Sequence, residues 1–232
     1  MKLRTFIAVA VGLLPLGFFA QGALAADGIL ETQCAGCHAL TQPEKFDIDR
    51  LWNRQGPDLY YAGSKFNRPW LEQWLQNPVR IRAGGELYTK HVKPGDKEDV
   101  IDEASLKPHP KLSAADAAAA ADALMALKAP DGMIEQGAYK EGKVSASMGA
   151  MFFNKLRGCS ACHQSKPDVG GRSGPELYTA AARLQPDYIY SYMRHPQKID
   201  PLVWMPDLSL SEPDAQRLTG YILMLGETGS NP

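Results

Sequence analysis

Two copies of a five-residue pattern, Cys-x-x-Cys-His, contain all four cysteines of this 232-residue chain. The first is Cys34-Ala35-Gly36-Cys37-His38 and the second is Cys159-Ser160-Ala161-Cys162-His163. Two thiols three positions apart lie on one side of a helical turn, within reach of the two vinyl groups of one porphyrin. The histidine that follows then falls under the iron as a proximal ligand. Paired cysteines also serve structural zinc and thioredoxin-like redox sites. The histidine that closes each copy weakens both alternatives, and no cysteine is left over to complete them. The pattern predicts two covalently attached haem c groups. Cys34 and Cys37 would bind one and Cys159 and Cys162 the other, with His38 and His163 as iron ligands.

The N-terminus gives a compatible cellular context. Lys2 and Arg4 form a short basic region, an apolar run extends from Phe6 to Ala20, and Ala23-Leu24-Ala25 is a small-x-small cleavage site. The run is shorter than the roughly 20 residues of a spanning helix, and Pro15 interrupts it. Residues 1–25 therefore read as a signal peptide cleaved after Ala25, with a periplasmic mature chain that starts at Ala26 and has no transmembrane anchor. Thioether bonds would use up the cysteines, so no disulfide framework is expected. The whole chain has net charge −1, and losing Lys2 and Arg4 leaves −3. That balance is too mild to imply a nucleic-acid partner.

The chain repeats itself. Gly56-Pro57-Asp58-Leu59-Tyr60 answers Gly174-Pro175-Glu176-Leu177-Tyr178 at an offset of 118 residues. The offset holds without a gap to Pro78 and Ile81, which answer Pro196 and Ile199; Lys65 answers Arg183, and Trp70 and Trp74 answer Tyr188 and Tyr192. A helix is predicted at the end of each half, over 114–127 and 212–225. Ser113 and Ser211 can cap these helices, each with an aspartate three residues on. The run Ala117–Ala121 reads as helix because alanine is the best helix former and Leu124 and Leu127 supply an apolar edge. The repeat divides the mature chain into 26–128, which carries an insertion at about 82–105, a Gly-rich linker over 129–144, and 145–232. Strand signals are weak, so the fold is expected to be mainly α.

Each half resembles a class I cytochrome c, and the whole resembles the tandem dihaem cytochromes of bacterial electron-transfer chains. The residues that carry the likeness are the cysteine motifs, the Gly-Pro-x-Leu segments, the aromatic helices, and Met205-Pro206 before a capped C-terminal helix. The resemblance implies two tandem cytochrome c domains. It also implies that the carbonyls of Pro57 and Pro175 accept the ring N–H of His38 and His163, fixing each tautomer. Met205, in Trp204-Met205-Pro206, occupies the family's axial methionine position for the second haem. A thioether favours reduced iron and raises the potential. The first half departs from this pattern, since no methionine lies between His38 and Leu124. Its candidates are His109, whose His109-Pro110 can be laid on Met205-Pro206, and His91. Alignment on the capping serines instead sets Lys107 opposite Met205, but its amine must lose a proton before it can bind. His109 is preferred, with an open site as the remaining alternative.

The expected function is single-electron transfer between redox proteins, with a dehydrogenase or quinol-oxidising complex as donor and an oxidase or reductase as acceptor. No catalytic residue is implied. The alternatives are the cytochrome subunit of a larger dehydrogenase, and a dihaem peroxidase if the first haem keeps an open site. The insertion around Tyr88 to Glu103 could dock a partner or simply be a solvated loop.

Overall fold

In the computed structural model, which describes residues 28–229, each cysteine motif follows a helix closely in the chain. Helix α1, residues 28–33, runs directly into Cys34, whose amide bonds the Leu30 carbonyl at 2.8 Å. The counterpart in the second half, α5 (Ala146–Met151), is capped by the Ser145 hydroxyl. It passes through a π turn, Phe152–Leu156, before the 3-10 turn Cys159–Ala161. The two motifs then close with the same bond. His38 N donates to Cys34 O and His163 N to Cys159 O, both at 3.0 Å. The expected signal peptide, residues 1–25 with cleavage after Ala25, lies outside the described residues.

The described chain is mainly helical. Helix α2 (Ile48–Asn53), capped by Asp47, fills the longer connection of the first half. Helix α3 (Arg68–Gln76) carries Trp70 and Trp74 and buries Leu71 and Leu75. Its repeat partner, α7 (Pro186–Arg194), buries Tyr188, Ile189 and Met193. Each of the two has proline in its first turn, where the missing N–H costs no helical bond. Short helices α6 (Ala180–Arg183) and α8 (Pro196–Ile199) flank α7.

Each half ends in the predicted helix. Helix α4 is Ala114–Ala126, and Ser113 accepts from Asp116 N. Its buried face, Ala117, Ala120, Ala121 and Leu124, follows the helical period and packs on α3. Helix α9 (Glu212–Gly229) outruns its expected end by one turn. Gly226 does not stop it, and lies close to the Ala181 side chain of α6. Ala215, Leu218, Ile222 and Leu225 form its buried face against α5, α6 and α7. No helix among the described residues is long and apolar enough to cross a membrane.

The two halves meet about a local pseudo-two-fold axis. Phe66 and Leu184, equivalent positions of the repeat, form an antiparallel bridge. On either side Asn67 N donates to Arg183 O and Gln185 N to Lys65 O, both at 2.9 Å. The side chains repeat the exchange. Asn67 Nδ2 reaches the carbonyls of Ala181, Ala182 and Leu184 at 3.1–3.2 Å, while Gln185 Nε2 reaches those of Gly63 and Phe66 at 3.1 and 2.8 Å. The bonds to Ala181 and Leu184 have their equivalents in those to Gly63 and Phe66 at the offset of 118 residues. Tyr61 also stacks on Tyr188 across it, with ring centroids 6.3 Å apart.

Two segments differ from the simplest reading of the sequence. Residues 129–144 contain no helix or strand, yet they are pinned to the second half rather than loose. Glu135 N bonds Ser191 Oγ, Gly137 N and Tyr139 N bond the Asp187 carboxylate, and Gln216 bonds the Ala138 carbonyl. Glycine allows the bends, while buried Met133 and Ile134 anchor the segment. The insertion forms a small hairpin, β1 (Val92–Lys93) with β2 (Val100–Ile101). A second hairpin, β3 (Gln164–Lys166) with β4 (Val169–Gly170), follows His163. The insertion is not wholly solvated, since Leu87 and the Glu86 side chain are buried at its start.

Candidate haem sites

His38 and His163 are held alike in both halves. His38 Nδ1 donates to Pro57 O and His163 Nδ1 to Pro175 O, each at 2.7 Å. That bond fixes the proton on Nδ1 and leaves the Nε2 lone pair free to bind a metal. The glycine before each proline has a steric reason. A Cβ on Gly56 would overlap the His38 ring, and one on Gly174 would overlap the His163 ring. The Gly-Pro pair is thus a cradle for the imidazole as well as a turn.

Burial is the main effect on both rings and pushes their pKa below the ordinary histidine value. The hydrogen bond to proline opposes it. His109 adds to the lowering at His38, and Arg82 and Arg183 add to it at His163. Both imidazoles are thereby biased toward the neutral form that binds a metal.

None of the four cysteines is paired in a disulfide. Burial raises the pKa of Cys34 and Cys159. A thioredoxin-like attacking cysteine requires the opposite shift. Among the described residues no three His, Cys, Asp or Glu side chains gather as a metal site of their own. A structural zinc centre needs four such ligands.

The structure brings His109 to His38. Their ring centroids are 6.2 Å apart, with planes inclined at 46°. Two imidazoles on opposite sides of one metal, bonded at about 2 Å each, have centroids about 6 Å apart. His109 Nδ1 faces the Pro110 carbonyl at 2.9 Å, so its Nε2 is also available. The loop that bears it is fixed to the end of α3. Leu112 N bonds Leu75 O at 3.0 Å and Lys111 Nζ bonds Asn77 Oδ1 at 2.9 Å. The His109 ring packs on Trp74 at 4.6 Å, and Trp74 stacks on Trp70 at 5.7 Å.

His91 is held elsewhere. It lies at the base of the insertion hairpin, with Nδ1 on Ser105 Oγ at 2.8 Å and its ring beside Gly85. Met205 sits in the loop between α8 and α9, partly buried against the core, and its carbonyl accepts from Gln197 Nε2 at 2.7 Å.

Sequence reasoning missed a buried charged cluster between the halves. Arg54, two residues before Gly56, bonds Glu86 of the insertion at 2.8 Å and Asp200 of the second half at 2.9 Å. Arg82 flanks Glu86. The available signal was the repeat itself, which pairs Arg82 with Asp200 at equivalent positions. No family model, curated protein or solved structure matches this chain.

Proposed function

We propose that the chain is a periplasmic dihaem c-type cytochrome, built as two tandem class I cytochrome c domains, that carries single electrons between redox proteins. One observation carries the reading. Each Cys-x-x-Cys-His motif presents an imidazole tied through Nδ1 to a proline carbonyl, and in the first half a second imidazole stands opposite it at 6.2 Å. The residues present fit the group. Cys34 and Cys37 would hold the first haem by thioether bonds, with His38 and His109 as its iron ligands. Cys159 and Cys162 would hold the second, with His163 and Met205 as its ligands.

Haem supplies one-electron exchange when bound. The chain's own residues decide that nothing else happens there. Two side-chain ligands on each iron would close the positions that a substrate needs. The Pro57 and Pro175 carbonyls keep the proximal imidazoles in one tautomer and raise their basicity. Imidazole at the first site and thioether at the second set the potentials apart, with the methionine site higher. A dihaem peroxidase requires an open iron, and the His38–His109 spacing favours the carrier over that alternative.

Reductive titration of the purified protein tests the reading. Two one-electron steps are expected, and only the higher-potential centre should show the weak long-wavelength band of methionine–iron ligation in its ferric form. Reduced protein should not bind carbon monoxide. Binding at the first haem would favour the peroxidase-like reading instead.

A further inference from the structure

The first half reaches across the pseudo-two-fold axis into the second site. Glu176 N donates to Ile81 O at 3.0 Å, and Arg82 forms an isolated antiparallel bridge with Pro175. Pro175 is the residue whose carbonyl holds His163 at 2.7 Å. A residue of the first half therefore flanks the segment whose carbonyl orients His163.

Burial opposes the charge of Arg82, but Glu86 and Tyr192 outweigh it and raise its pKa, so the guanidinium stays charged, whereas burial lowers that of Arg183. Arg183, the other cation beside this site, has its Nε 3.0 Å from Thr179 Oγ1 and 3.5 Å from Glu176 Oε1. Among the described residues the acidic partner of Arg82 is Glu86, with Nε 3.9 Å from Oε2, and Glu86 is also held by Arg54 at 2.8 Å. The equivalent position in the other half holds the opposite charge. Asp200 pairs with Arg54, two residues before the glycine that cradles His38, at 2.9 Å. One position of the repeat thus sets a cation against the second site and an anion beside the first.

We propose that Arg82 is a positioning residue acting in trans, which raises the reduction potential of the haem held by His163. The inference rests on the dihaem reading above. A fixed positive charge in a partly desolvated site favours the reduced state, which carries one positive charge fewer. At an effective dielectric of about 20 and separations near 10 Å, a unit charge shifts such an equilibrium by about tenfold. The charge reversal between Arg82 and Asp200 acts in the same direction as the ligand difference, so the interface widens the gap between the two centres.

The experiment is a redox titration of Arg82→Gln, Arg82→Lys, Asp200→Asn and wild type, with the second haem followed by its methionine–iron band. In Arg82→Gln the reduction equilibrium of the second haem should fall about tenfold, which is 59 mV for one electron, while the first haem stays close to wild type. Arg82→Lys should recover most of the difference. Asp200→Asn breaks the Arg54 contact and loosens the interface without removing Arg82, so it should not lower the second potential. The proposal is overturned if Arg82→Gln leaves the second haem unchanged, if Arg82→Lys behaves like Arg82→Gln, or if Asp200→Asn lowers the second potential equally. Absence of two resolved haems in wild type would remove the dihaem reading and this inference with it.

Discussion

Replacing His109 with alanine is expected to turn one haem from low-spin to high-spin and let it bind one carbon monoxide per chain when reduced. The expectation follows from the 6.2 Å separation of the His38 and His109 rings. It follows also from the rigidity of the loop that carries His109, which is tied to α3 through Leu112 and Lys111 and packed on Trp74. A fixed loop cannot easily swing another donor into the gap. Met125 is no substitute, because it lies within α4 and packs against the core. His91→Ala should leave the spin state unchanged, since its ring is engaged with Ser105. If only His91→Ala opened the site, the ligand assignment would be wrong although the carrier reading would survive.

Met205→Ala should abolish the long-wavelength ferric band and lower the potential of one haem by on the order of 100 mV, a fraction of the roughly 0.8 V that axial ligands span. Loss of the thioether removes the ligand that most favours ferrous iron. The first haem should move little, because its ligands lie on loops of the other half. Met193 and Met224 are the other methionines within reach by sequence. Met193 lies on the buried face of α7, where its role is packing. Persistence of the band in Met205→Ala would assign the bond to one of these instead.

What the sequence made legible was whatever local chemistry dictates. Ser113 and Asp116 cap α4 as their spacing requires, and Ala117, Ala120, Ala121 and Leu124 fall on one face. The bonds from His38 to Pro57 and from His163 to Pro175 were implied by the resemblance of the Gly-Pro segments, not by local geometry alone. The sequence was mute where long-range contacts decide. The Gly-rich pattern of 129–144 signals bends, but not that Asp187 and Ser191 of α7 hold those bends in place. Arg54, Glu86 and Asp200 are ordinary charged residues in a linear reading, and only the folded interface makes them a buried cluster. The repeat did carry part of that information, since Asn67 with Gln185 and Arg82 with Asp200 are equivalent pairs. Their contact across a pseudo-two-fold axis needs the third dimension.

The central claim is that each cysteine motif holds a haem covalently. Mass spectrometry of the mature protein, denatured in acid, tests it most directly. The account predicts a chain that begins at Ala26 and retains two haems, one on the peptide containing Cys34 and Cys37 and one on the peptide containing Cys159 and Cys162. Release of both haems on denaturation, or recovery of stoichiometric zinc with four unmodified thiols, would contradict it.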